Sequence, residues 1–345
     1  MQSTSVDRWQ KRKVNLLWAC LFMNQSLLTT KFPAAKRFLL FWLKRTINTV
    51  PHQPNLIPPL LLAEEQNNIS QKDDLDTSIL EKKCSQIREQ LVTKGNLSLT
   101  RVQKDTVVVY ICAIAFKESQ SWGTSPIDVA TQIADQFSYL SSQELSDDPK
   151  KYFTLKVVPP GWLHLQLTDL GIATWLQSLA EGQGGEEDKG TRGQGDKESS
   201  SFSASTSSQS LFSVQYAHAR CGSLLRLAQR EGSWGAIAPD AIPWLNEKGE
   251  LRLTHRAERN LISQLFSALD EMYCPASSKK LNWEKLAQEI SFSWENFYRQ
   301  CRIWGEVKTE VPELAQARLG LLMATQAILQ LLLEDYLGVP APLEL

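Results

Sequence analysis

The sequence predicts an α+β protein that is mostly α: a small α/β domain followed by an all-α bundle of about five helices. Three observations carry this. Beyond residue 209, apolar residues recur at helical spacing, as in Val214, Ala217, Cys221, Leu224, Leu225 and Ala228. Between 152 and 167 the period drops to two, with Leu163, Leu165 and Leu167 alternating against Trp162, His164 and Gln166. Residues 181–208 are almost wholly small or polar, with Phe202 as the one aromatic, and they separate the two patterns.

Length and composition set the frame. A chain of 345 residues has room for two ordinary domains with tails and linkers, and 42% hydrophobic content supports real cores. The net charge of −1 excludes a global pull toward nucleic acid, so any RNA contact must be local. Cysteines at 20, 84, 112, 221, 274 and 301 show no paired spacing. That pattern reads as reduced, cytoplasmic and metal-free, and no motif calls for a cofactor.

Residues 1–50 hold nine Lys/Arg and one acid, Asp7. Their apolar bursts, Leu16–Met23 and Phe38–Leu43, fall short of the roughly 20 residues that span a bilayer. A basic segment lying on a membrane surface is the minority reading; the bland one, a poorly ordered or loosely docked tail, is preferred. With the Pro-, Asn-, Gln- and Asp-rich stretch after it, this makes 1–78 an extension and linker.

The first domain is expected over 79–180. Leu80, Cys84, Ile87 and Leu91 are spaced for one helical face. Thr106–Tyr110 is strand-like by propensity, while Ile111–Lys117 suits either strand or helix. Ser125, Pro126 and Asp128 open a helix as N-cap, first residue and first-turn acid. Tyr152–Val158 and Trp162–Leu167 then form a hairpin around Pro159-Pro160-Gly161. Its leucines face the core, and Trp162 and His164 share the other face. Residues 181–208 follow as a flexible coil of 28 residues, spanning roughly 30 Å.

The second domain is expected over 209–345. In its first helix Tyr216, Arg220 and Ser223 share a stripe beside the apolar face. A later helix has Leu286, Ile290, Trp294, Phe297 and Cys301 as its core face, with Tyr298 and Arg302 one turn apart. The last helix, Pro312–Tyr336, stops at Gly338 with Pro340 beyond. His218 and Cys221 are three apart, but Cys221 belongs to the apolar face and no third group orients a nucleophile. No catalytic residue is assigned.

The order of these segments resembles the arginyl-tRNA synthetases. Val214-Gln215-Tyr216-Ala217-His218-Ala219-Arg220 resembles the opening helix of their DALR anticodon-binding domain. Phe297-Tyr298-Arg299-Gln300-Cys301-Arg302-Ile303 is similar to its "Phe-Tyr-x-x-Cys-Arg-Val" helix, and Gln316-Ala317-Arg318-Leu319 stands at the signature that names the domain. The end at Leu345 is similar too. Gly161-Trp162-Leu163-His164-Leu165 resembles the strand closing the family's additional N-terminal domain, which packs on the outer corner of tRNA near the D-loop.

This resemblance implies an anticodon pocket of Tyr216, Arg220, Tyr298, Arg302 and Leu345, and a D-loop-like face of Trp162 and His164. Spacing alone makes Tyr298 a partly exposed tyrosine and Arg302 an ordinary surface arginine. The family has Phe and Asn or Gln where Trp162 and His164 stand. The two class I ATP signatures, His-x-Gly-His and Lys-Met-Ser-Lys-Ser, are absent from the sequence. The expectation is a non-catalytic, cytoplasmic tRNA-binding protein, with arginine acceptors as partners and neither DNA nor membrane. The alternative is a protein–protein adaptor on a repurposed helical domain, which the balance of fourteen Lys/Arg against sixteen Asp/Glu over 209–345 favours slightly.

Overall fold

The computed structural model describes residues 34–50, 97–104, 107–143, 148–181, 207–232, 242–275 and 281–345. The expected helix on Leu80–Leu91 and nearly all of the 181–208 linker lie outside the described residues. The chain divides into two units, Lys36–Val102 with Val108–Gln166, and Leu167–Leu345 with Gln103–Val107 and the residues up to Ala35.

The first unit is built on a four-stranded sheet of order β1-β2-β4-β3. Its strands are β1 (Thr100–Lys104), β2 (Val107–Cys112), β3 (Phe153–Val158) and β4 (Trp162–Leu167). β-Branched residues carry β2, which runs antiparallel to β4 with Tyr110 opposite Leu165 and Cys112 opposite Leu163. All four of those side chains are buried, so the period-two reading of 162–167 holds. The stretch left open at 111–117 is split: the strand runs to Cys112 and α2 (Ile114–Trp122) follows.

Helix α3 (Pro126–Gln143) starts as its sequence demands, with the Asp128 N–H donating to Ser125 Oγ and Pro126 needing no donor. It buries Val129, Ala130, Ile133 and Phe137. The hairpin joining β3 to β4 needs glycine at 161. Its φ is +151°, and a Cβ there would come within 2.7 Å of Pro126 Cβ.

The expectation of a poorly ordered 1–78 fails for residues 34–50. Helix α1 (Ala35–Thr49) buries Phe38, Leu39, Trp42, Leu43 and Ile47 within the first unit. Phe38 meets Tyr152 and Phe153 edge-on. The pattern was present in the sequence, because Phe38, Leu39, Trp42, Leu43 and Ile47 recur at helical spacing while Arg37 and Lys44 fall on the opposite side.

The second unit is mostly helical, with a short bridged loop at Leu245 and Leu251. It comprises α4 (Asp169–Glu181), α5 (Ser207–Arg230), α6 (Arg256–Tyr273), α7 (Trp283–Gln300), the short α8 (Glu306–Glu310) and α9 (Pro312–Leu331). A π-helical turn, Leu332–Tyr336, continues α9. α9 lies at the centre, against α4, α5, α6 and α7. Gly320 lets Trp244 and Ile242 close on it, since a Cβ there would fall 2.6 Å from the indole. By length and composition Pro312–Tyr336 is apolar enough to cross a membrane, but its residues are almost all buried in the bundle. It stops at Gly338, whose φ is +64°, with the Val339 N–H donating to Leu333 O. Helix α4, inside the 79–180 span expected for the first domain, packs in this helical unit. The chain is thus α+β and mostly α.

Candidate RNA-binding site

Helices α5 and α7 pack together, and their seam holds the first candidate cluster. Helix α5 buries Val214, Ala217, Cys221, Leu224 and Ala228, which turns Tyr216 and Arg220 to the edge of the packed face. Helix α7 buries Ala287, Ile290, Trp294 and Phe297, which leaves Tyr298 at its own edge.

The two edges meet through Arg220. Its guanidinium lies over the Tyr298 ring, 5.7 Å from the centroid, and donates to the phenol oxygen at 3.3 Å. The Tyr298 ring in turn lies parallel to that of Trp294, with centroids 5.8 Å apart and planes 5° apart. Trp294 is 2% exposed and its indole N–H has no hydrogen-bond partner among the described residues. The result is a tier of indole, phenol and guanidinium, buried at one end and reachable at the other. One helical turn before Arg220, Tyr216 is half exposed and stacks on the exposed Phe212 at 6.5 Å. That outward aromatic pair was not singled out in the sequence.

Two further residues expected in this pocket, Arg302 and Leu345, are both exposed. Arg302 was read one turn beyond Tyr298 on a continuing helix, but α7 ends at Gln300 and Cys301 is extended (φ −114°, ψ 97°). Two contacts draw the chain away there: Cys301 Sγ lies 3.3 Å from His255 Nδ1, and Arg318 donates to the Arg302 carbonyl. The Arg302 side chain is exposed past the helix end. Leu345, expected to pack at the pocket, is 66% exposed.

The tail carrying Leu345 is held by its backbone. Gln215 donates to Pro340 O, His218 Nδ1 to Pro342 O, and Arg226 to Leu343 O with Glu344 at 3.6 Å. These α5 residues form a stripe distinct from that of Tyr216 and Arg220. The tail's last grip, at Arg226, is six residues beyond Arg220, or about 9 Å along the helix. The spacing Gln215, His218, Gly222, Arg226 was the available signal. At Gly222 a Cβ would fall 2.9 Å from Gln326 Nε2, so α5 and α9 meet closely there.

His218 therefore acts as a clamp. Burial pushes its pKa below the usual imidazole value of 6.5, opposed by the Pro342 carbonyl and the Glu334 charge. The sign follows directly: the unfolded chain takes up a proton near 6.5 that the folded chain resists, so stability is lost as pH falls through that value. Thermal melting is expected to show a fall in midpoint from pH 7.5 to 5.5 that shrinks in His218→Asn, whose amide keeps a donor near the Nδ1 position. An equal fall in both proteins would refute the assignment. Cys221 is fully buried, and burial raises its thiol, so no thiolate is available there.

A second knot sits beside the first. Arg318 Nε pairs with Glu258 Oε1 at 2.6 Å, with side chains 10% and 1% exposed. Glu258 also accepts from the His255 N–H at 2.8 Å, and His255 Nδ1 accepts from Ala257 N–H, closing a capping box at the start of α6. Burial pushes the Cys301 thiol in this knot up to about 11. Cys301 and His255 thus form a structural contact rather than a nucleophile and its base. Arg318 sits in the Gln-Ala-Arg-Leu signature, and its work is to pin α9, α6 and the end of α7 together.

In the first unit, Trp162 is 38% exposed and meets Phe116 at 5.0 Å, while His164 is half-buried opposite Ile111. They share one face of β4, with part of the indole already engaged by α2.

Comparison with known proteins fits this geometry. Residues 214–345 match the family described as the DALR anticodon binding domain. An arginine–tRNA ligase of Synechococcus sp. (strain JA-3-3Ab) is 35% identical over 130 residues, which is 37% of this chain and 21% of the relative. One from Pelodictyon phaeoclathratiforme (strain DSM 5477 / BU-1) is 36% identical over 135 residues, 38% of this chain and 22% of the relative. The matched part thus spans about a fifth of each ligase. No solved structure matches. The α5/α7 seam, the Arg318 knot and the clamped tail all lie inside residues 214–345, the stretch that matches the DALR anticodon binding domain, in a chain that is similar over about 130 residues to arginine–tRNA ligases.

Proposed function

We propose that this chain binds tRNA through its helical domain, reading the anticodon loop without aminoacylating it. The observation that carries the reading is the Arg220–Tyr298–Trp294 tier. Folded RNA is read in its loops, where splayed bases stack on aromatic or guanidinium planes and bond through their edges. Tyr298 with Arg220 offers such a plane beside a cationic donor, and Tyr216 with Phe212 extends the aromatic surface along α5. Similarity to arginine–tRNA ligases supports arginine acceptors as the preferred tRNAs. Absence of both class I ATP signatures from the sequence supports binding without catalysis. Arg302 and Leu345, both exposed, would add to the same pocket, whereas Trp162 and His164 would touch the outer corner of the tRNA. The cytoplasm is the proposed compartment.

The test is a filter-binding assay of the purified chain with total tRNA at two salt concentrations, with sequencing of the bound fraction. Arginine acceptors are expected to be enriched. Arg220→Ala/Tyr298→Ala should weaken binding by roughly 10- to 100-fold, since stacking on an aromatic side chain is worth about 1–3 kcal/mol per base. No binding at low salt, where phosphate contacts are strongest, would remove the reading. The exposed Phe212–Tyr216 pair would then favour a protein partner.

A further inference from the structure

Helix α5 carries a row of side chains that its packing leaves outside the core. Phe212, Tyr216 and Arg220 follow one another at intervals of four, so they lie along one slowly turning stripe. Val214, Ala217 and Cys221, beside that stripe, are buried. Phe212 is 57% exposed and Tyr216 50%, and their rings lie 24° from parallel with centroids 6.5 Å apart. At its other end the row joins the Tyr298 ring through the Arg220 guanidinium. Phe212 and Arg220 are eight residues apart, or about 12 Å along the axis, which is more than a single base spans.

A lone exposed aromatic is ordinary on a protein surface. Here two stack on each other in line with a cation, and the charge of the helix points to what covers them. Over Ser207–Arg230 there is no Asp or Glu to repel a phosphate, and the charged residues are Arg220, Arg226 and Arg230. An unpaired nucleotide brings a flat π-face and a phosphate, the two groups such a row accepts. The row is also narrow, with the polar Ser213 and Gln215 beside it, which suits separate flat bases better than a broad apolar protein face. Phe212 lies outside the 214–345 stretch that matches the DALR domain, so that likeness assigns it no role. We infer that Phe212 is a further RNA-binding residue, whose ring, backed by Tyr216, stacks a second unpaired nucleotide next to the one read at Arg220 and Tyr298 and accepts any base. This rests on the reading of the chain as a binder of anticodon loops, and it names what the loop must present: two neighbouring nucleotides splayed out of its stack.

The test uses the full chain with two RNAs, the anticodon stem-loop of an arginine acceptor tRNA and an unstructured oligouridylate of about 12 nucleotides. 2-Aminopurine, whose fluorescence falls when it stacks, is placed at each loop position of the first in turn. Phe212→Ala and Phe212→Leu are each expected to weaken binding of both RNAs by about 5- to 100-fold and to remove the quenching at one loop position. Phe212→Tyr should keep both, and changing the base at that position should leave affinity nearly unchanged. Because the ring is more than half exposed, these variants leave the core untouched. Unchanged affinity and quenching in Phe212→Ala would overturn the inference, and so would loss in Phe212→Ala with none in Phe212→Leu, since the contact would then be apolar and not a stack. Self-association of the parent in sedimentation velocity, abolished by Phe212→Ala with RNA binding unaltered, would overturn it too and make the row a contact between copies. Arg220→Ala/Tyr298→Ala separates the two ideas: it should remove the quenching at a neighbouring loop position and the preference for arginine acceptors. If it changes neither, the anticodon reading fails while the oligouridylate result still decides this one.

Discussion

Replacing Arg318 by alanine is expected to destabilise the helical unit by about 3–5 kcal/mol, because it leaves the Glu258 carboxylate buried without its cation. Both side chains are almost fully covered, so solvent screening does not shrink the effect as it does for a surface pair. A urea denaturation midpoint measures it directly. Arg318→Met/Glu258→Gln, which removes both charges, should recover much of the loss. The same substitution frees the Arg302 carbonyl and the turn after α7, the helix that carries Tyr298. A cost below about 1 kcal/mol would place the pair with ordinary surface salt bridges.

The Arg318 knot shows where sequence reading succeeds and where it stops. Helix α5 was legible because Val214, Ala217, Cys221, Leu224 and Ala228 repeat at one period, and all are buried. The leucine alternation in β4 was legible for the same reason. Arg220 and Tyr298 are 78 residues apart, and only resemblance to a family joined them before the fold did. Arg302 was misplaced because a helix end set by a tertiary contact leaves little local trace. Cys301 lies in a favourable helical pattern until His255 and Arg318 hold the chain beyond it. The clamping of the tail was not legible, because the tail is fixed by its carbonyls, which no side-chain pattern reports. Helix α1 was discounted because its apolar burst was measured against a bilayer span, when a short burst is enough for one face packed in a protein core.

The division of the chain into folding units leads to the second large effect. The change of composition at 181–208 invites a boundary near 209, yet α4 lies before it and completes the helical core. Trp175 stacks on Phe266 with centroids 3.7 Å apart and is 1% exposed, while Leu176 and Leu179 are fully buried. Gln177 accepts from the Trp244 indole at 2.7 Å, and the Asp169 carboxylate takes the Leu251 N–H and faces Arg259. Polar and apolar contacts thus agree, as expected where an element belongs to the core it covers. Trp175→Ala is expected to cost about 3–5 kcal/mol, the range for truncating a buried aromatic. A fragment beginning at 207 should melt far below one beginning at 167, or aggregate, since it uncovers α9 and the Phe266 ring. Differential scanning calorimetry of the two fragments decides it. Equal melting would mean that α4 is an accessory cover, and that the boundary belongs where the composition changes.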